Sequence, residues 1–313
     1  MRIAVLAGGI GGARFLRGVR AAYPDAEITA IVNTGDDVTL HGLRICTDLD
    51  SVLYTLAGIH DEERGWGRAD ESWRIKDELT AWGAEPSWFG LGDLDIATHL
   101  VRTRMLDAGY SLSDVTAALC SRWDLGVTVV PMTDQRCETH VVVTLDGRRQ
   151  AVHFQEWWVK HHAALAAEAF VQIGLDEAVA APGALAAIAA ADVVLLAPSN
   201  PVVSIGTILA VPGVREALLE TPAPIAGVSP IIGGAPVRGM ADACLPVIGV
   251  ETSAEGVGRH YGARSDGGLL DGWLIADSDT ADVPGVAVRA VPLLMTDDAA
   301  TAAMVRTAVE LVA

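Results

Sequence analysis

Lysine is almost missing from this chain: Lys76 and Lys160 are the only two in 313 residues. Contacts to a bound phosphate must therefore come from backbone N–H groups, arginines, or a metal ion held by carboxylates, and the metal ion is the expected route. Acidic residues outweigh basic ones, 40 to 22, for a formal charge of −18. Most of such a surface repels a nucleic-acid backbone or an anionic membrane, so neither is an expected partner. Cysteine is scarce and scattered. Cys46, Cys120, Cys137 and Cys244 form no C-x-x-C pair, which supports neither a zinc site nor a disulfide scaffold. No uninterrupted apolar run reaches about 18 residues. A core strand begins within two residues of Met1 and leaves no room for a signal peptide, so the cytoplasm is the expected compartment.

What is present is a globular composition, 51% hydrophobic with 20% charged residues, enough for a large core. Apolar runs at "RIAVLA", "EITAIV", "DVVLLAPSN", "PIAGVSP", "PVIGV" and "GWLIA" read as buried strands, and helical patterns such as Ile96 to Ala108 alternate with them. The expectation is an α/β fold, a doubly wound, mostly parallel, Rossmann-like sheet with an inserted helical and β-hairpin region. Residues 1–50 and 171–313 form the expected Rossmann-like core, and 51–170 the inserted region. Within the insert, Asp146-Gly147 joins two strand-like runs as a hairpin turn. "AALAAEAF" and "PGALAAIAAAD" have ordinary helical spacing and read as surface helices.

The opening "IAVLAGGIGGARFL" is a strand running into Gly8, Gly9, Gly11 and Gly12. The dinucleotide fingerprint fails because Arg14 stands where its third glycine belongs, and no Lys-Ser/Thr follows for a P-loop. What remains is a glycine turn whose N–H groups can approach an anion at a helix start, with Arg14 beside it. A tight βα turn without a ligand is the bland alternative.

Ligands in open α/β sheets sit beyond the carboxyl ends of the strands, and residues there are rich in acids. "VNTGDD" supplies Asn33, Asp36 and Asp37, whose turn would present both carboxylates toward the glycines. "CTDLDS" supplies Asp48 and Asp50, which point the same way if that piece is extended. Asp93, Asp95 and His99, then Asp134, Arg136 and Glu138, follow, with helix capping as the alternative role for Asp93 and Asp95. Carboxylates around a phosphate repel it unless a cation intervenes, and Mg²⁺ on one or two carboxylates plus substrate phosphates is the usual arrangement. Ser199, Asn200 and Ser204 stand as short polar groups at a helix start, suited to an anion or a base edge. Ser229, Gly233, Gly234 and Arg238 repeat that logic. Trp66, Trp73, Trp88 and the Trp157-Trp158 pair could stack a planar ring, with core packing as the alternative.

Together, "AGGIGGARFLRG", "VNTGDD", "HGLRICTDLDSVLYTL", "RGWGRADESW", "LGDLDIATHL", "HFQEWWV", "LLAPSNPVVSIG" and "SPIIGGAPVRGMAD" resemble the 2-phospho-L-lactate transferase family, closest to its actinobacterial phosphoenolpyruvate transferase branch. The resemblance spans essentially the whole chain. It implies a Mg²⁺-dependent transferase of coenzyme F420 biosynthesis. The deazaflavin Fo would attack a guanosine-diphosphate-activated enolpyruvate or phospholactate, giving dehydro coenzyme F420-0 and GMP. On that reading Asp50 and Asp36 are catalytic and hold the metal, and Asp50, Asp48 and Trp66 meet Fo. Gly8, Gly9, Gly11, Gly12, Asn33, Ser199, Asn200 and Ser204 meet the guanine nucleotide, and a homodimer is expected. Gly90 departs from relatives that carry Lys before "LGD" at a second Fo-contacting position. The rival class is a non-catalytic, nucleotide-sugar-binding regulatory protein of the same fold.

Overall fold

The computed structural model describes every residue from Met1 to Ala313. The strands are β1 (Arg2–Ala7), β2 (Glu27–Val32), β3 (Val38–Leu40), β4 (Leu43–Ile45), β5 (Thr128–Pro131), β6 (Glu138–Leu145) and β7 (Arg148–His153). They continue with β8 (Ala167–Ile173), β9 (Val193–Leu196), β10 (Ile225–Val228), β11 (Ile231–Ile232), β12 (Ala235–Pro236), β13 (Gly272–Ala276) and β14 (Ala287–Val291). The helices are α1 (Gly9–Ala22), α2 (Thr47–Leu56), α3 (Arg74–Ala81), α4 (Asp93–Asp107), α5 (Leu112–Cys120) and α6 (Pro182–Ala190). After them come α7 (Ile205–Ala210), α8 (Val214–Glu220), α9 (Ala241–Cys244), α10 (Ala254–Tyr261) and α11 (Asp298–Val312).

Seven strands form one parallel sheet in the order β14-β13-β10-β9-β1-β2-β5. β1 explains the layering. Ile3, Val5 and Ala7 face a core shared with Phe15 and Leu16 of α1, Val52 of α2 and Val305 of α11. Ala4 and Leu6 face a second core with Ile188 of α6, Ile208 of α7 and Leu218 of α8. A strand covered on both faces reads as an unbroken apolar run, which is why "RIAVLA" was legible.

The chain places β1, β2 and β5 toward one edge, then returns to the free side of β1 with β9 and builds outward to β14. Ile3 pairs with Val193 and Leu6 with Leu196. Strand order thus reverses between β1 and β9, and the loops leaving their carboxyl ends diverge to open a crevice.

Three sequence readings are corrected. β5, inside the expected insert, pairs with β2 and belongs to the main sheet, and α2 packs on α1 in the first core. The insert is therefore two excursions, one before β5 and one after it. "PVIGV" is not a strand: Leu245–Ile248 is a 3₁₀ turn, as Pro246 supplies no N–H to a ladder. "AALAAEAF" is not a helix. Ala167–Ile173 pairs with β6 in the separate antiparallel sheet β7-β6-β8, where pairing overrides alanine's helical preference. The hairpin stands as read: Leu145 pairs with Arg148 across Asp146-Gly147, both with positive φ (51° and 72°). No helix is long and apolar enough to cross a membrane.

Candidate active site

A cleft of about 1420 Å³ opens at the reversal point. Pockets for one small ligand usually span about 300–1,000 Å³, so this cleft has room for two. One end is built by Gly8, Gly9 and Gly11 and by Pro198, Ser199, Asn200 and Ser204 after β9; the other by side chains of the first excursion, among them Trp66, Trp73, Asp95 and His99.

At the glycine end, two loops are stapled together. Gly8 N–H donates to Ser199 Oγ (3.0 Å), and that hydroxyl donates to Gly8 O (2.7 Å). Absent side chains permit the docking: a Cβ on Gly8 would lie 2.7 Å from both Asp48 Oδ2 and Ser204 Cβ, and one on Gly11 would lie 3.1 Å from the Pro198 carbonyl oxygen. Gly9 has φ +61°, the left-handed region that glycine tolerates. Close packing of loops thus accounts for the glycines, while the first N–H groups of α1 are left without intrahelical partners at the cleft. Ser199, expected on the nucleotide, spends its hydroxyl on Gly8. Gly12, behind the loop, does not line the cleft; its Cβ would sit 2.8 Å from Ser199 Oγ. Asn200 Oδ1 accepts the Val202 N–H (2.9 Å) and shapes its turn, while its amide nitrogen meets only sulfur, Cys244 Sγ at 3.6 Å.

Asp48 and Asp50 do not point the same way, because the piece carrying them is the first turn of α2 and not a strand. Two residues apart on a helix is a turn of about 200°. Asp48 faces the glycines: Asn33 Nδ2 donates to its Oδ2 (2.9 Å), and its carboxylate oxygens lie against Gly8 and Gly9. Asn33, fully buried, therefore positions Asp48 rather than touching the cleft. Asp36 lies close enough to Asp48 for the two carboxylates to repel each other. Burial lifts the Asp48 pKa to about 6, and burial together with the Asp48 charge lifts that of Asp36 well above the usual carboxylate range. Asp36 Oδ1 is buried with no hydrogen-bond partner. Asp37, expected beside it, turns away to Arg44 (3.0 Å).

Asp50 belongs to a different constellation. Arg102 Nη2 donates to Asp50 Oδ1, and Arg102 Nη1 to Asp50 Oδ2 (3.1 Å), to His99 Nδ1 (3.0 Å) and to the Arg44 carbonyl (3.3 Å). Asp95, His99 and Arg102 stand at i, i+4 and i+7 on α4, one stripe facing Asp50. Burial drops the His99 pKa to about 4 and raises that of Asp95 to about 7, the latter helped by the Asp50 charge. The sequence alone pointed to Asp50, Asp95 and His99 but not to Arg102. The signal was there, an arginine on the helix stripe that carries both.

No group of three or more His, Cys, Asp or Glu side chains converges as a self-sufficient metal site. Two mutually repelling buried carboxylates, one oxygen of which lacks a partner, nevertheless fit a divalent cation shared with ligand phosphates. That pair is Asp36 and Asp48. Asp50, expected to share the ion with Asp36, is instead paired with Arg102.

Trp66 lines the cleft half-exposed, edge-on to Trp73 at 6.1 Å, with the Arg64 guanidinium 5.5 and 5.2 Å from the two rings. A Cβ on Gly90 would lie 3.3 Å from Trp66, so the indole occupies the space above that glycine. Trp88 and Trp158 also line the cleft, whereas Trp157 is fully buried and donates to the Leu165 carbonyl (2.8 Å). The acids Asp93 and Asp134 cap helices: Asp93 accepts from Ile75 N (3.1 Å) and Asp134 from Ser113 N (2.7 Å). Arg136 pairs with Glu138, away from the cleft. Ser229 holds a local turn with Ile231, and Arg238 lines the rim.

The family described as 2-phospho-L-lactate transferase CofD matches residues 3–291. The phosphoenolpyruvate transferase of Nocardia farcinica is 64% identical over 99% of this chain and 94% of its own length. Those of Streptomyces griseus and Mycobacterium avium are 60% and 58% identical, over 99% of this chain and 98% of theirs. A crystal structure of a Bacillus halodurans protein shares the fold, with a TM-score of 0.64 at 18% identity over 99% of each chain. The chain belongs to the 2-phospho-L-lactate transferase family, and it is a transferase.

Proposed function

We propose that this cleft joins an enolpyruvyl-bearing phosphoryl group to the deazaflavin alcohol Fo, a step of coenzyme F420 biosynthesis, with guanosine-diphosphate-activated enolpyruvate as donor. The observation that carries the reading is one cleft with two unlike ends: a backbone and carboxylate end at the sheet's reversal point, and an aromatic end beside Asp50. The names of relatives at 58–64% identity favour the enolpyruvyl over the lactyl donor.

In the proposed reaction the terminal ribityl oxygen of Fo forms a bond to the phosphorus that bears the enolpyruvyl group. The bond from that phosphorus to the GMP oxygen breaks, and the hydroxyl proton leaves to a carboxylate or water. GMP departs with the electron pair. Asp36 and Asp48 would hold a Mg²⁺ ion, which when bound would supply charge neutralisation for the diphosphate and the leaving group. The chain's own contribution is placement. The free N–H groups of α1 receive donor oxygens, and Asn33 holds Asp48 toward them. Arg102 fixes both oxygens of Asp50, whose remaining lone pairs are available to accept and orient the Fo hydroxyl. Trp66 and Trp73 offer faces and edges to the deazaflavin ring.

Incubating the protein with Fo, each guanylated donor and Mg²⁺, followed by product mass, tests the reading. Dehydro F420-0 with stoichiometric GMP is expected. Tight nucleotide binding with no transfer to Fo from either donor would replace it with the binding-protein alternative.

A further inference from the structure

The two ring nitrogens of His99 are in different situations. Nδ1 lies 3.0 Å from Arg102 Nη1, and a guanidinium can only donate, so Nδ1 is the accepting, unprotonated nitrogen. The ring proton is therefore on Nε2. That N–H is buried in a residue 1% exposed, has no partner within the chain, and belongs to a side chain that lines the cleft. One helical turn earlier, Asp95 Oδ1 is likewise buried and unpartnered, and Asp95 also lines the cleft. An unpaired donor and an unpaired acceptor one helical turn apart, with the unpartnered Tyr54 hydroxyl beside Asp95 in the same lining, are the complement of a group that accepts and donates.

A hydroxyl does both. A phosphate or carboxylate would meet Asp50 and Asp95 at close range, and a carbonyl would satisfy His99 while leaving Asp95 unmatched. We propose that His99, held by Arg102 in its Nε2–H tautomer, donates a hydrogen bond to a hydroxyl of the acceptor's polyol chain, and that the same hydroxyl pairs with Asp95. The inference rests on the reading of the acceptor as a ribityl-bearing deazaflavin. It makes His99 a binding residue for the chain that carries the attacking oxygen, and Arg102 the residue that sets its tautomer.

Two isosteric substitutions separate this role from packing. In His99→Gln the terminal amide reaches the place of Nε2 and can donate there. In His99→Asn the amide stands at the place of Nδ1, where its carbonyl can accept from Arg102, and nothing stands at Nε2. Fo affinity is read by fluorescence titration on the intact protein, with thermal melting and nucleotide affinity measured alongside. Expected is a loss of Fo affinity of about tenfold in His99→Asn, and of no more than about threefold in His99→Gln, with guanine-nucleotide affinity unchanged in both. An Fo analogue carrying N10-methyl in place of the ribityl chain should bind His99→Asn and the wild type equally. The reverse order of the two variants, equal losses in both, or unchanged Fo affinity in His99→Asn would overturn the inference alone. A wild type that binds no Fo at all would overturn the acceptor reading and this inference with it.

Discussion

The two ends of the cleft are made differently. At the glycine end the surface is backbone, brought within contact by missing side chains and fixed by the central strands β1 and β9. At the other end it is side chain. Arg102, His99 and Asp95 project from one helix onto Asp50 of another, and Trp66 stands 46% exposed at the mouth. The first end depends on sheet topology and tolerates no added atoms. The second depends on charge pairing and should tolerate changes of shape better than changes of charge.

The largest effect should come from breaking the pairing. Arg102→Met leaves the buried Asp50 carboxylate uncompensated, and unfolding in denaturant should show a loss of about 3–5 kcal/mol. The double variant Asp50→Asn/Arg102→Met should recover part of it. No recovery would mean that Arg102 acts by packing alone.

At the opposite end, removing charge should separate activity from stability. Asp36→Asn and Asp48→Asn should each lower turnover at least about a hundredfold, because they remove electrostatic placement of the ion and the diphosphate. Thermal stability should stay level or rise, as each change removes repulsion between buried carboxylates. A drop in melting temperature matching the drop in rate would return both residues to a structural role.

Adding one carbon should distinguish the ends next. Gly8→Ala places a Cβ 2.7 Å from Asp48 Oδ2 and Ser204 Cβ, and guanine-nucleotide affinity by calorimetry should fall about tenfold while Fo binding persists. Unchanged nucleotide affinity would reduce the opening motif to a turn. A smaller effect belongs to the mouth. Trp66→Ala should weaken Fo by an amount on the order of 0.5–1.5 kcal/mol, roughly two- to tenfold, and leave nucleotide affinity intact.

The gentlest probe is pH. Burial lifts the Asp48 and Asp95 carboxyls to about 6 and about 7, so the folded chain holds their protons more tightly than the unfolded chain does. Their contribution to stability is full below about pH 4 and is lost as pH rises through 6 and 7. Melting temperature in Asp95→Asn should vary less between pH 5 and pH 8 than in the wild type. An identical slope would place Asp95 in contact with solvent.

What the sequence made legible follows the same division. The strands of the parallel sheet are buried on both faces, so their apolar runs announced them, and the reversal point put the glycine loop and "APSNP" at one cleft. The Asp146-Gly147 turn was legible because its left-handed backbone restricts the residues that fit. The second end was only half legible. Asp50, Asp95 and His99 were visible as residue types, and Arg102 stood on the same helix stripe as the last two, but the opposite facing of Asp48 and Asp50 depends on "CTDLDS" being the start of a helix, which local pattern did not reveal. β14 escaped notice because an edge strand with exposed Ala287, Arg289 and Ala290 carries little apolar signal.

The staple between Gly8 and Ser199 joins residues 191 positions apart. At a synthesis rate of about 5–20 residues per second, the glycine loop emerges from the ribosome roughly 10–40 seconds before its partner exists. Until then β1 has a partner on one side only, and its other edge is an apolar strand open to mispairing. The catalytic cleft is thus among the last parts of the molecule to be completed, and a nascent chain halted before β9 carries the whole opening motif without the site.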